Sequence, residues 1–225
     1  MFNMRNEHSS ISFLLGGIAI AAFLLFSGTG MVYAHQKQLY TIGDNKYLFV
    51  AGFLNEPVYV DDKSGVALYV YTPDPKDPMS TDSNSTKPIE GLQDSLKAEI
   101  SAGAKTKVLD LEPDEEQPGY YIAPFIPDVE TTYKFRFFGN LSNIPVSIEY
   151  SCSPGAVSED TVVSNSTEKI SDGVTRNGVI GGYECPAPRS EGAFPETIMS
   201  NVDINNKIMD LENKIMALEN TSKAK

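Results

Sequence analysis

Apolar and polar residues alternate along most of the middle of the chain. The segment LKAEIS, residues 96–101, is apolar at every second position, and TYKFRFFG, residues 132–139, repeats the pattern with aromatic side chains. A period of two predicts β-strands that bury one face and expose the other, as in antiparallel sheets. This part of the chain is therefore predicted to consist of antiparallel strands.

Seven strand segments, some alternating and others continuously apolar, are separated by turns rich in Gly, Pro, Asp and Asn. They cover residues 46–54, 66–71, 96–101, 105–112, 119–126, 132–139 and 145–151. Because no long helical pattern separates them, two sheets must bury their apolar faces against each other. The sequence predicts an all-β fold, an immunoglobulin-like antiparallel β-sandwich of about seven strands over residues 35–152. The predicted core residues are Leu48, Val50, Leu68, Val70, Leu96, Ile100, Leu109, Tyr121, Phe125, Tyr133, Phe135, Phe137 and Ile148.

The period changes near the C-terminus, where NKIMDLE, residues 206–212, is followed at once by NKIMALE, residues 213–219. Apolar residues recur there at alternating spacings of four and three, which is the heptad pattern of a coiled coil. We call these residues the heptad seam: Ile204, Ile208, Leu211, Ile215 and Leu218. They predict a short helix within residues 196–225 that self-associates or binds another protein. Because the seam is short, a helix packed on its own domain, or frayed, is the alternative.

The heptad register predicts a particular kind of pairing. Ile208 and Ile215 fall at position a, and Leu211 and Leu218 fall at position d, a combination that favours two parallel strands. Asn201 then also falls at position a. Lysine falls at position g and glutamate at position e, so the charges of two parallel copies are complementary.

A long apolar run precedes the alternating region. Residues 11–26, ISFLLGGIAIAAFLLF, are uncharged, and short or small side chains precede the bond between Ala34 and His35. This arrangement is typical of a signal peptide that is cleaved after Ala34. The run is longer than the usual apolar core of about 7–15 residues, so an uncleaved N-terminal membrane anchor over residues 1–34 is the alternative. In both cases the rest of the chain is expected to be exported, either secreted or held at the outer face of the cytoplasmic membrane, with any membrane contact through this segment.

Charge and cysteine content narrow the choice of partners and compartment. The formal net charge of −12 would repel phosphate backbones, so nucleic acid is not expected as a partner. Cys152 and Cys185 are the two cysteines of the chain, and export predicts a disulfide between them. The alternative is a pair of free thiols with a redox or metal-binding role, although their spacing matches no zinc or CxxC pattern.

Residues 153–195 are rich in Ser, Gly, Asn and Thr, which predicts a polar, loosely ordered insertion held to the domain by Cys185. Four Asn-x-Ser/Thr sequences are candidate glycan acceptors in an exported protein, although so short a motif also arises by chance. The four asparagines are Asn84, Asn140, Asn165 and Asn220.

Three stretches carry a resemblance to a known family: GFLNEPVYV, IEGLQDSLKAEI and PGYYIAPFIPDVETTYKFRFFG. Through them the chain resembles exported bacterial and archaeal proteins with a single immunoglobulin-like domain, akin to the YtkA-like and CopC-like copper-associated sandwiches. The resemblance covers about residues 46–152, roughly half of the chain. It implies an immunoglobulin-like fold and is weakly informative about function.

The resemblance to CopC-like proteins also implies one copper ligand. After cleavage, His35 would offer its amine and its imidazole to a single Cu²⁺ ion. CopC-like sites add a second histidine and a carboxylate, but no histidine follows His35, so Asp or Glu oxygens would have to complete the site. The alternative is that His35 is merely the first residue after the cleavage site.

Enzymatic chemistry is not expected, and we assign no catalytic residue. Nucleophilic catalysis needs a base within hydrogen-bond reach, whereas His35 is the sole histidine after the cleavage site and the cysteines are expected to be bonded. No cofactor other than copper is expected. The sequence therefore favours a non-enzymatic binding or structural module outside the cytoplasm, with a copper-binding exported protein as the second hypothesis.

Overall fold

The computed structural model describes residues 35–155, 161–195 and 198–223. The predicted signal peptide or anchor, residues 1–34, lies outside these residues. The described part contains thirteen strands and one α-helix, α1, which spans Asn201–Lys223. The strands are β1 Gln36–Ile42, β2 Asn45–Phe53, β3 Ser64–Thr72, β4 Lys87–Pro88, β5 Leu96–Ala102, β6 Lys105–Asp110, β7 Glu112–Pro113, β8 Tyr120–Phe125, β9 Tyr133–Leu141, β10 Ile144–Ser151, β11 Val162–Ser164, β12 Glu168–Ser171 and β13 Val174–Ile180.

The strands form two antiparallel sheets. The nine-stranded sheet has the order β11-β13-β1-β2-β3-β8-β7, with β12 paired to β13 and β4 paired to β3. The four-stranded sheet has the order β10-β9-β5-β6. Apolar side chains from both sheets meet in one core, which is the arrangement of a β-sandwich. All seven predicted strand segments are confirmed.

The centre of the core is aromatic. The ring centroid of Phe53, on β2, lies 5.0 Å from that of Phe135 and 5.7 Å from that of Tyr183. Phe135 comes from β9 of the opposite sheet, where every second side chain points inward as predicted. Most predicted core residues are confirmed in this cluster, and Ile100, Leu109 and Phe125 pack against it while partly exposed.

Strand β2 corrects the predicted core. Leu48 and Val50 are buried, but they lie on the sheet face that points away from the four-stranded sheet. The inward residues of β2 are Tyr47, Phe49, Ala51 and Phe53. Because every residue of β2 from Tyr47 onward is buried, its hydrophobicity does not alternate, and the inward positions cannot be identified from the sequence.

The described part of residues 153–195 is not a loosely ordered insertion, so that prediction is wrong. Strand β13 pairs with β1 on one side and with β11 and β12 on the other, and Val174 belongs to the core. The sandwich therefore extends beyond Cys152. Strands β1 and β13 were missed because QKQLYTI and VTRNGVI contain many polar residues, and their mutual hydrogen bonds compensate for weak intrinsic strand preference.

The disulfide prediction is confirmed, because Cys152 and Cys185 are bonded. The bond joins the end of β10, in the four-stranded sheet, to the segment that follows β13 of the other sheet. The N–H of Cys152 donates to the carbonyl of Tyr133 at 3.0 Å, and the N–H of Cys185 donates to the carbonyl of Ser153 at 2.9 Å. The disulfide therefore links the four-stranded sheet to the segment that follows β13, at a site that backbone hydrogen bonds also hold.

Candidate functional sites: the C-terminal helix and a tyrosine cleft

Helix α1 exposes every side chain over residues 201–222. In the heptad seam the exposed fraction ranges from 43% at Ile204 to 70% at Leu218. The alternative of a helix packed on its own domain is therefore wrong for the described residues. A row of exposed apolar side chains at heptad spacing is the surface that a partner helix covers in a coiled coil. None of the helices in the described ranges combines the length and hydrophobicity needed to cross a bilayer.

The first turn of α1 is capped from its own chain. The hydroxyl of Ser200 accepts the N–H of Asp203 at 3.1 Å, and the carboxylate of Asp203 accepts the N–H of Ser200 at 3.3 Å. This reciprocal pair is a capping box, which satisfies N–H groups that have no partner within the helix. The helix therefore begins where the sequence changes from loop to heptads.

A residue of the sandwich also holds the start of the helix. Asp61 lies between β2 and β3, and its carboxylate accepts both the N–H and the side-chain amide of Asn201 at 2.8 Å. A negative charge at this end is favourable because it opposes the positive end of the helix dipole. The side chain of Asn201 is thus engaged by its own domain, and the heptad seam begins at Ile204.

A second surface lies on the outer face of the nine-stranded sheet, away from the four-stranded sheet. Cross-strand pairing places Lys37, Val50, Tyr69 and Tyr120 in one row, and Tyr71 lies two residues further along β3 on the same face. A cleft of about 250 Å³ opens over this row. We call it the tyrosine cleft, and its lining residues are His35, Lys37, Val50, Tyr69, Tyr71, Thr81, Asp82 and Gln117.

Parallel rings form one wall of the tyrosine cleft. The ring of Tyr69 stacks on that of Tyr120 with centroids 4.1 Å apart and planes 11° apart. The ring of Tyr71 is parallel to that of Tyr69 within 5°, and their 6.3 Å centroid separation shows that the two are offset. Burial, together with the neighbouring Tyr69, raises the pKa of Tyr120 above its usual range. The ring of Tyr120 therefore stays neutral and packs against the ring of Tyr69.

Two polar residues of the tyrosine cleft, Asp82 and Gln117, lie on turns that have internal hydrogen bonds. Asp82 lies between β3 and β4, in a loop where the hydroxyl of Thr86 donates to the carbonyl of Ser80 at 2.9 Å. Gln117 lies between β7 and β8, and its N–H donates to the carboxylate of Asp114 at 2.9 Å. These bonds order the two turns that place Asp82 and Gln117 at the edge of the cleft.

The structure places the candidate copper ligand in this cleft. The imidazole of His35 meets the ring of Tyr69 edge-on, at a centroid distance of 6.1 Å, and Asp82 lines the same cleft. Across the described residues no group of three or more His, Cys, Asp and Glu side chains converges. The structure thus supplies one carboxylate near His35 and leaves the second imidazole of CopC-like sites without a counterpart.

The remaining predicted site residues are dispersed over the surface. The candidate glycan acceptors Asn84, Asn140, Asn165 and Asn220 are all exposed, and their glycosylation stays a prediction. The heptad seam, the disulfide and the tyrosine cleft lie on different elements, so the structure does not combine them into a single site.

Sequence reasoning missed the tyrosine cleft, although VALYVY contained a signal. Placing Leu68 and Val70 inward leaves Tyr69 and Tyr71 on the outer face of the strand. Two aromatic residues at outward positions of one strand are unusual for a solvated face and indicate a covered or ligand-binding surface. Asp82 and Gln117 carried no such signal, because loops bring them to the cleft.

A buried carboxyl lies elsewhere, next to the disulfide segment. Glu56 Oε1 accepts the N–H of Phe53 at 3.3 Å, whereas Oε2 is buried with no hydrogen-bond partner within the described ranges. Burial raises the pKa of Glu56 to about 8, and the charge of Glu184 adds to the effect. The hydroxyl of Tyr183 is likewise buried without a described partner. The carboxyl of Glu56 therefore predicts that the stability of the protein depends on pH.

Comparison of the chain with protein-family models, curated proteins and solved structures found no match. The resemblance to exported immunoglobulin-like proteins therefore stays a prediction.

Proposed function

We propose that the chain is a non-enzymatic module, outside the cytoplasmic membrane, in which helix α1 pairs in parallel with α1 of a second copy. Each copy would present one immunoglobulin-like sandwich. The observation that carries the proposal is the heptad seam, five apolar side chains exposed along a helix that its own domain does not cover. The disulfide supports export, because such bonds persist in oxidising compartments.

Two features support an immunoglobulin-like sandwich. The sheets are antiparallel and face each other across one core, and a disulfide links the four-stranded sheet to the segment that follows the last strand of the other sheet. Both features are shared with immunoglobulin domains. The predicted resemblance of residues 46–152 points the same way.

Charge complementarity supports a second copy in parallel orientation as the partner. Lys207 and Lys214 occupy position g, and Glu212 and Glu219 occupy position e. In a parallel pair each g residue lies beside the e residue of the next heptad in the partner, so lysine meets glutamate. An antiparallel pair would place lysine beside lysine and glutamate beside glutamate. In the single chain Lys214 pairs instead with Asp210 at 2.6 Å, an exposed contact worth roughly 0.5 kcal/mol, which pairing would readily replace.

The pairing is expected to be weak, because the seam extends only from Ile204 to Leu218. Asp61 reduces the entropic cost of pairing, since a helix that is already capped and held loses less conformational freedom when it binds. An uncleaved N-terminal anchor would raise the local concentration of the chain at a membrane and favour the pair.

Sedimentation equilibrium of the exported protein with its native N-terminus, from about 10 μM to about 1 mM, tests the proposal. The average mass of the wild type is expected to rise with concentration, whereas Leu211→Asp stays monomeric because it buries a charge at position d. Asn213→Asp is the matched control, since it adds the same charge at the outward position f. A wild type that is monomeric at every concentration, or a Leu211→Asp variant that associates equally well, would overturn the proposal.

A second candidate function is Cu²⁺ binding at His35. The observation in its favour is that Asp82 lines the same cleft, which offers a carboxylate to the amine and imidazole of a cleaved N-terminus. Titration of Cu²⁺ should show weaker binding when one residue is added before His35, and weaker binding in Asp82→Asn. Equal affinities for all three proteins would contradict this function.

A further inference from the structure

We propose that the tyrosine cleft binds a neutral saccharide ring. This inference is independent of helix pairing, because the cleft lies on the sandwich and its lining residues all precede α1. It rests on three properties of the cleft: a wall of parallel aromatic rings, a polar edge with groups of opposite charge, and a small volume.

The wall suits the apolar face of a sugar. Tyr69 and Tyr71 hold their rings parallel within 5°, with Val50 beside them in the cross-strand row. The C–H groups on one face of a pyranose ring pack against such an aromatic surface, which is apolar and weakly negative. Stacking of Tyr69 on Tyr120, at 4.1 Å, holds the wall in place before binding.

The edge of the cleft suits hydroxyl groups. The carboxylate of Asp82 accepts hydrogen bonds, whereas the amide of Gln117 and the hydroxyl of Thr81 both donate and accept them. A sugar hydroxyl also donates and accepts, so it matches a mixed set of this kind. An apolar ligand would leave these groups without partners, which costs binding free energy.

The charges around the cleft favour a neutral ligand. Asp82 disfavours anions, including phosphorylated ligands, and the formal net charge of −12 acts in the same direction. Lys37 lines the cleft as well and disfavours cations. A ligand that is rich in hydroxyl groups and carries no charge satisfies both conditions.

The volume sets the size of the ligand. About 250 Å³ is below the range of about 300–1,000 Å³ that is typical of sites for larger organic ligands. One sugar ring fits a cleft of this size, and the rest of a longer chain would extend into solvent. The occupant is therefore a terminal or single sugar unit.

NMR titration of the exported protein tests the proposal, with the methyl glycosides of glucose, galactose, mannose and N-acetylglucosamine as probes, each up to about 50 mM because single-sugar binding is weak. At least one probe should shift the signals of residues that line the cleft. Tyr71→Ala should weaken that binding about tenfold, and Asp82→Asn should weaken it similarly. Tyr71→Phe should retain most of the binding because it keeps the ring.

Phe138→Ala is the control, because it removes a ring from the outer face of the four-stranded sheet and should leave binding unchanged. The Asp82→Asn and Tyr71→Phe variants keep the test decisive if Tyr71→Ala fails to fold. No shift at the cleft with any probe would overturn the proposal. Equal loss in Phe138→Ala and in the cleft variants would overturn it as well.

Discussion

The sandwich buries its apolar side chains, whereas the C-terminal helix exposes them to solvent. In the sandwich, Phe53 and Phe135 from the two sheets and Tyr183 from the segment after β13 pack on one another and are fully buried within one chain. In helix α1, Ile208 and Leu211 are about half exposed. The apolar face of an alternating strand is buried by a second sheet of the same chain, whereas the apolar face of a heptad helix is buried by another helix. The sandwich thus buries its apolar side chains within one chain, whereas the helix leaves its own exposed, and the proposed pairing of two helices would cover them.

The largest expected effect is the loss of stability when a core side chain of the sandwich is removed. Phe135→Ala removes a ring from the centre of the core and should lower the free energy of unfolding by about 3–5 kcal/mol, measured by urea denaturation. Ile208→Ala removes an exposed side chain and should change it by less than about 0.5 kcal/mol at low protein concentration. Equal effects of the two variants would contradict the distinction between the regions.

The disulfide sharpens the comparison because it acts on the sandwich alone. Replacing Cys152 and Cys185 by serine frees a loop with a sequence separation of 33 and should cost about 3–4 kcal/mol by the chain-entropy argument. Urea denaturation measures the loss. Helix pairing should persist in the double variant under native conditions, and its disappearance would show that the two regions are coupled.

The free energy of unfolding is expected to depend on pH because of the buried carboxyl of Glu56. Its pKa is raised from 4.5 to about 8, so the native state keeps a proton that the unfolded chain releases. The stabilisation is complete below pH 4.5 and is lost as the pH rises through 8. Because the side chain is partly exposed, we expect a total loss of about 1–3 kcal/mol rather than the full linkage value.

Urea denaturation between those pH values measures this loss. Glu56→Gln should flatten the pH profile, since the amide does not titrate. Glu130→Gln, at an exposed position, is the control and should keep the profile of the wild type. A profile that is unchanged by Glu56→Gln would contradict the assignment of this loss to Glu56.

The last of these predictions concerns the contact between Asp61 of the sandwich and the start of helix α1. Asp61 has a φ of 65°, which asparagine tolerates, so Asp61→Asn keeps the backbone and one acceptor but removes the charge. It should weaken the start of the helix by about 0.5–1 kcal/mol. Amide hydrogen exchange over residues 201–204 measures this, with Asp62→Asn as the control. Equal protection in both variants would show that Asp61 does not hold the helix.

Predictability from sequence differed between elements for physical reasons. Strand β9 was predictable because Lys134 and Arg136 mark its solvated side, whereas β2 is buried on both faces and gives no such mark. Strand β13 was not predictable, because its place depends on hydrogen bonds to β1, which is distant in sequence. The heptad seam was predictable because its residues are neighbours in one helix. The tyrosine cleft needs strand register and two loops, which a local pattern does not contain.

The central claim is that the heptad seam pairs with itself in parallel. The chain has only two cysteines and they are bonded to each other, so a third would be the sole free thiol. Leu218→Cys places it at position d near the C-terminal end of the seam, and Asn213→Cys places it at the outward position f. A parallel pair brings the two thiols introduced by Leu218→Cys together, whereas an antiparallel pair separates them by about 20 Å along the helix axis.

Disulfide formation in a glutathione redox buffer is the most direct measurement. The account predicts that Leu218→Cys forms a covalent dimer at equilibrium and that Asn213→Cys remains largely monomeric. Covalent dimers in equal yield from both variants, or in neither, would contradict parallel pairing through the heptad seam.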